Sequence, residues 1–174
     1  LIAEGFAVRV LARRQSPRTN LEGMAVEVAE GDLTDPASLR RAAAGCTAVF
    51  HVAADYRLWT RDAAAMFRVN VEGSRAVVLA AMQAGASRIV YTSSVATLGI
   101  PGGGESGDES TPVAFADMIG PYKQSKFKAE EEVRRLIAEE NAPVVIVNPS
   151  TPIGPGDVKP TPTGRMIVEA ARGR

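Results

Sequence analysis

The chain has 174 residues, 45% of them hydrophobic, and its 20 Lys and Arg balance 20 Asp and Glu. That is apolar material for one domain-sized core, and the absent net charge argues against a nucleic-acid or membrane-surface partner. One cysteine, Cys46, excludes an intrachain disulfide, no apolar run nears the ~20 residues of a membrane span, and no charged-then-apolar leader opens the chain, so it reads as soluble and cytoplasmic.

Residues 1–5 have the character of a helix's last turn with Gly5 as its left-handed stop, and 6–11 alternate as a strand around Val8 and Val10, closed by Arg13 and Arg14. Residues 25–30 repeat the strand pattern through Val26 and Val28. Asp35 before Pro36 predicts an N-cap with proline at the first helical position, opening an alanine-rich helix ended by Gly45. Asp32 directly follows a strand, where a parallel sheet presents its ligand edge. A turn-forming aspartate is the equal alternative there.

Residues 48–53 form another buried strand, holding the one histidine, His51. It reads as a core histidine, because no further metal ligands accompany it, and no metal is expected. Ala53 and Ala54 at this strand's end are small enough for a ligand to approach the backbone. Residues 55–62, with Tyr56 and Trp59, follow at the same edge as pocket wall or as ordinary loop packing. Residues 67–84 predict a long amphipathic helix closed by Gly85.

The apolar run Arg88-Ile89-Val90-Tyr91 then delivers three hydroxyls, Thr92, Ser93 and Ser94, to a sheet edge. Residues 99–120 read as a long loop, which in a compact domain is usually functional. A helix follows from Pro121, its Glu130-Glu131-Glu132 and Arg134-Arg135 read as a solvated face with i,i+4 pairs. Residues 144–147 are the last strand; a proline-rich loop over 151–164 and a helix over 165–171 complete the chain. Strands alternating with helices predict an α/β fold, a parallel sheet with helices on both faces and ligands at the strands' carboxyl ends.

Tyr122 and Lys126 stand four residues apart at the start of the helix, so their side chains share one face. A phenol is a poor base at neutral pH, and an ammonium within a few ångströms would lower its pKa toward the working range. Neither of the other tyrosines, Tyr56 and Tyr91, has a lysine four residues on. With Ser93 and Ser94 at the preceding strand's end, the pair is suited to one proton-transfer site.

These residues resemble the extended short-chain dehydrogenase/reductase family, whose catalytic set is Ser or Thr, Tyr-x-x-x-Lys and a nicotinamide dinucleotide. Ser94, Tyr122 and Lys126 fall on that set, Ser94 being favoured over Ser93 by its distance to Leu98-Gly99. Residues 51–56, 91–99 and 148–152 are similar to the dihydroflavonol-4-reductase-like branch, which includes proteins labelled hopanoid-associated sugar epimerases.

The resemblance implies a Rossmann-like doubly wound parallel sheet with NADP or NAD bound along its edge. Cofactor contacts would come from Arg13, Asp32 with Leu33, Ala53, Ala54, Thr92, Tyr122, Lys126, Pro149 and Ser150. Arg13 suits a 2'-phosphate and so favours NADP, a solvated loop arginine being the plain alternative. Asn70 matches a family asparagine that ties its helix to the active-site strand.

No Gly-x-x-Gly-x-x-Gly stretch precedes Leu1, and the C-terminal substrate part is missing. The expected fold is therefore incomplete, residues 1–174 being a partial NAD(P)-binding domain and an internal fragment inactive by itself. The expected function of the complete protein is hydride transfer to or from a carbonyl or secondary alcohol. The alternatives are a nucleotide-sugar epimerase or dehydratase with recycled NAD, and a non-enzymatic dinucleotide-binding protein. The partner is a small-molecule substrate, and helices such as 67–84 and 121–140 could pair into a homodimer.

Overall fold

The computed structural model describes residues 1–158 and 161–174. Strands form on all five predicted stretches: β1 Val8–Ala12, β2 Val26–Glu30, β3 Ala48–His51, β4 Arg88–Thr92 and β5 Val144–Val147. All pairings are parallel. The strands make two sheets, β1-β2 and β3-β4-β5, rather than the single sheet the alternation predicts. β1 and β3 share no ladder, and the two sheets are joined by helix packing instead. Helix α1 (Pro36–Ala43) places Leu39 and Ala43 against Ala80 of α3 (Gly73–Gln83), with Leu11 and Leu33 closing the cluster.

Side-chain caps from Asp35, Asp62 and Thr161 open three of the α-helices. Asp35 accepts from the Ala37 and Ser38 amides to open α1, and Arg9 donates to the Ala42 and Ala44 carbonyls at its other end. Asp62 accepts from the Ala65 amide, so the helical stretch begins at α2 (Ala63–Phe67), ahead of the predicted 67. It passes through a π-helical turn at Arg68–Glu72 before α3. Helix α4 (Gly120–Glu140) stops at Asn141, which takes the left-handed conformation with φ 53°. Thr161 caps α5 (Pro162–Ala171), which therefore starts three residues before the predicted Arg165. Of the proline-rich loop, Lys159 and Pro160 lie outside the described residues.

The main core lies between the three-stranded sheet and helices α3 and α4. Ile89 and Tyr91 of β4 pack on Val78 and Ala81 of α3 and on Ala129, Val133 and Leu136 of α4. Alternate strand residues Phe50, Val145 and Val147 are exposed, as period-two alternation requires when one face is covered. With α3 and α4 on one face and every strand parallel, the carboxyl ends of β3, β4 and β5 open at one rim beside the start of α4.

Candidate active site

β4 ends at Thr92, and the chain turns at once into a short 3-10 turn, Val95–Thr97, capped by Ser94. The Ser94 hydroxyl accepts from the Ala96 amide at 3.1 Å, and both Ser93 and Ser94 are buried. The turn is tied to the chain leaving β5: the Ser93 amide donates to the Val147 carbonyl at 2.8 Å and the Val95 amide to the Pro149 carbonyl at 3.2 Å. The first turn of α4 brings Tyr122 over this edge. Burial raises the Tyr122 pKa above its ordinary value, and the nearby Ser94 hydroxyl pulls the other way. Ser94 and Tyr122 are therefore neighbours, although no hydrogen bond of ordinary geometry joins them among the described residues.

Lys126 is buried one turn further along. Its ammonium donates to the Thr92 carbonyl at 2.9 Å and to the Tyr91 hydroxyl at 3.2 Å, and lies 4.8 Å from the Tyr91 ring centroid. The expectation that Lys126 lowers the Tyr122 pKa is not met: the phenol is shifted upward, and desolvation rather than the ammonium sets the direction. Lys126 itself is pushed down to about 8 by burial, against the pull of Glu130.

Behind the lysine runs a buried polar cluster. The His51 ring stands 5.5 Å from the Tyr91 ring, and its Nε2 is 2.9 Å from the Ser74 hydroxyl. Burial pushes His51 down to about 4, so it is neutral, as a core histidine should be. Asn70, in the π-helical turn, accepts from the Asp55 amide at 2.7 Å and donates to the Asp55 carbonyl and the Ser125 hydroxyl, each at 2.9 Å. It thus ties its helix to the chain after β3 and to α4, and not to the β4 strand as the resemblance implies. The next-turn carboxylate, Glu130, departs from the solvated face expected of it. It is 5% exposed and bonded to Ser93, Thr97, Arg134 and Asn148, while Arg134 and Arg135 make the expected helical ion pairs.

The candidate cofactor residues fall on the same kind of edge. Arg13 follows β1 and is exposed; Asp32 follows β2, with an Oδ1 that accepts from the Thr34 amide and hydroxyl at 2.9 and 2.7 Å. Those bonds hold the Asp32 pKa below the usual range, and the Arg13 charge adds to them. The same arginine also lowers Asp55, after the Arg57 side chain that pairs with it, so Arg13, Asp32 and Asp55 share one neighbourhood. Leu33 is half-buried under Gly73, where an added Cβ would lie 3.0 Å from the leucine Cβ. Ala53, Pro149 and Ser150 are exposed, Ala54 and Thr92 half-buried. An ammonium has three protons to donate, and among the described residues Lys126 gives only two of them partners. The rim thus fits a hydroxyl-bearing dinucleotide: one proton of a buried lysine unspent, small residues at the end of β3 and a cation past β1.

A "Putative dihydroflavonol 4-reductase" of Synechocystis sp. is 46% identical over 172 residues, which cover 99% of this chain and 50% of that protein. The crystal structure of gox2253 superposes with a TM-score of 0.93 at 52% identity, over 99% of this chain and 52% of its own. A short-chain dehydrogenase/reductase superfamily protein from Agrobacterium tumefaciens with bound NAD gives a TM-score of 0.69 at 30% identity, over 84% of this chain and 42% of its own. The chain therefore spans about half the length of these relatives. The model of the NAD dependent epimerase/dehydratase family matches residues 1–173, and the chain belongs to that family.

Proposed function

We propose that the complete protein is an NAD(P)-dependent oxidoreductase that moves a hydride to or from a carbonyl or secondary alcohol. What supports this reading is that Ser94 lies beside Tyr122 where β4 ends, with Lys126 one turn further along α4 and, among the described residues, one of its protons without a partner. Tyr122 passes the proton to or from the substrate oxygen, and the Ser94 hydroxyl polarises the same oxygen. Lys126, held by the Tyr91 hydroxyl and the Thr92 carbonyl, would use its remaining proton to hold the cofactor's ribose. The dinucleotide, when bound, supplies or accepts the hydride. Arg13, past β1 and exposed, would meet a 2'-phosphate and make NADP the preferred form; Asp32, Leu33, Ala53, Ala54, Thr92, Pro149 and Ser150 would line the rest. The dihydroflavonol 4-reductase named among the relatives favours a reductase.

A second reading has support in the family itself, which includes epimerases and dehydratases. There the same three residues would act on a nucleotide sugar with NAD retained and recycled. In either case the substrate is a small molecule. A homodimer would pair through the outer faces of α3 and α4, which lie side by side on the sheet.

Tyr122→Phe in the full-length protein tests the reading. NADPH and NADH consumption is followed with a panel of aldehydes and ketones, and nucleotide-sugar conversion by product analysis. Loss of turnover by about a hundredfold or more is expected from removing the proton donor. Retained turnover would refute the role of Tyr122, and conversion of a nucleotide sugar without net NAD(P)H consumption would favour the second reading.

A further inference from the structure

Glu130 lies one helical turn beyond Lys126 on α4, and its carboxylate is the centre of a closed polar network. Oε2 accepts from Ser93 Oγ at 2.5 Å, Thr97 Oγ1 at 2.7 Å and Asn148 Nδ2 at 3.0 Å. Oε1 accepts from Arg134 at 2.9 and 2.7 Å, and that arginine is half exposed. The three inner donors come from the residue after β4, the turn that follows it, and the residue after β5. Ser94 is held by the same groups: its carbonyl accepts from Asn148 Nδ2 at 3.1 Å and, 2.7 Å from Thr97 Oγ1, shares that hydroxyl's single proton with Glu130. Burial alone would raise the Glu130 pKa, but the bonds from Ser93, Thr97, Arg134 and Asn148 outweigh it and hold the group ionised.

The charge has a second neighbour. The titratable groups around Lys126 are His51 from β3, Tyr91 from β4, and Tyr122 and Glu130 from its own helix. His51 is neutral above about 4, and both phenols are shifted upward. At neutral pH Glu130 is the negative charge in this set, and it sits at the i+4 position where the two side chains share a face.

We propose that Glu130 is a positioning residue: its carboxylate gathers Ser93, Thr97 and Asn148 so that Ser94 is held beside Tyr122, and its charge keeps the buried Lys126 amine protonated. The inference rests on the reading of Ser94, Tyr122 and Lys126 as the reacting set. A neutral glutamine of the same shape would leave the donors one oxygen short and the ammonium without its counter-charge.

The test uses the full-length protein labelled with [ε-13C]lysine, the Lys126 resonance being assigned with Lys126→Arg. In Glu130→Gln the Lys126 titration midpoint is expected to fall by about one pH unit or more, a tenfold change in its ionisation. Arg134→Ala removes only the outer partner and should leave the midpoint within roughly 0.3 units, the level of an exposed helical pair. An unchanged midpoint in folded Glu130→Gln overturns the proposal. Should that variant not fold, Ser93→Ala decides: at least ~tenfold faster amide exchange at Ser94 is expected from loosening the turn, and unchanged exchange overturns the proposal. Neither readout uses turnover. A fully active Tyr122→Phe would therefore sink the proposed function without moving either one.

Discussion

The Lys126 ammonium donates to the Tyr91 hydroxyl at 3.2 Å and lies 4.8 Å from the centroid of that ring, so the lysine of α4 is seated on β4. The seat explains both its order and its cost. Two bonds, to Tyr91 and to the Thr92 carbonyl, fix a side chain that would otherwise lose rotamer freedom for nothing, while burial disfavours its charge.

That cost has a pH signature. An unfolded chain holds the Lys126 proton up to about 10.5, the folded chain only up to about 8. Between the two the unfolded form binds more protons, so this group makes stability rise as pH climbs from 8 to 10.5, by up to about 3 kcal/mol. Below 8 both forms are protonated and the full cost is present. Thermal melts of the full-length protein from pH 7 to 10.5 should show this rise, and Lys126→Met should flatten it.

His51 acts at the acidic end. Its folded pKa of about 4 lies below the ordinary 6.5, so the unfolded chain takes up the proton first. Stability from this group is complete above 6.5 and is lost as pH falls toward 4, by up to about 3 kcal/mol. Chemical denaturation at pH 7, 5.5 and 4.5 checks it. His51→Leu should lose less stability over that interval than the parent, and a parallel decline in both would contradict the assignment.

Asn70 is the joint between three segments. Replacing it with alanine removes its bonds to the Asp55 amide and carbonyl and to Ser125, and leaves buried polar groups unpaired. A loss of about 2–3 kcal/mol is expected, more than a single neutral hydrogen bond. The denaturant midpoint measures it. Because Asn70 lies in a π-helical turn, a local irregularity often found at functional sites, the variant should also loosen the chain after β3.

Arg13 tests the cofactor preference. Arg13→Glu should raise the KM for NADPH by roughly tenfold or more, the worth of a charge-assisted hydrogen bond, while the KM for NADH does not rise. Equal effects on both cofactors would instead assign Arg13 to general electrostatics around Asp32 and Asp55, whose carboxyls it helps to ionise.

How far the sequence could be read depended on whether a feature is local. The five strands, the Asp35 cap, the Gly5 stop and the Tyr122 to Lys126 spacing are each specified within a few residues, and each stands in the structure. The apolar run marked Thr92, Ser93 and Ser94 together as hydroxyls at a sheet edge, and only the resemblance, through the distance to Leu98-Gly99, singled out Ser94. Glu130 was not legible: within Glu130-Glu131-Glu132 nothing marks the first as buried, because its donors Ser93 and Asn148 lie 37 and 18 residues away. The same non-locality hid the seat of Lys126, since the ammonium's choice of Tyr91 over Tyr122 depends on how α4 crosses β4. Arg9 as a cap for α1 was hidden too, with 33 residues separating it from the Ala42 carbonyl.

Gly99 gives a structural test of the long loop after the Ser94 turn. A Cβ added there would collide with the Pro112 carbonyl oxygen and come within 2.8 Å of Thr111 Cγ2 and 3.0 Å of the Pro112 carbonyl carbon. The first and third of these are backbone atoms, which yield only if the loop itself moves. Gly99→Ala is therefore expected to displace residues 111–113 rather than merely repack them. The strain has a short path to the site: Thr97, two residues earlier, holds the Ser94 carbonyl and Glu130. We expect a stability loss of about 1–3 kcal/mol, as for an overpacked position, together with altered amide chemical shifts at Ser94 and Thr97. Wild-type shifts at both would show that the loop absorbs the added methyl without reaching the turn.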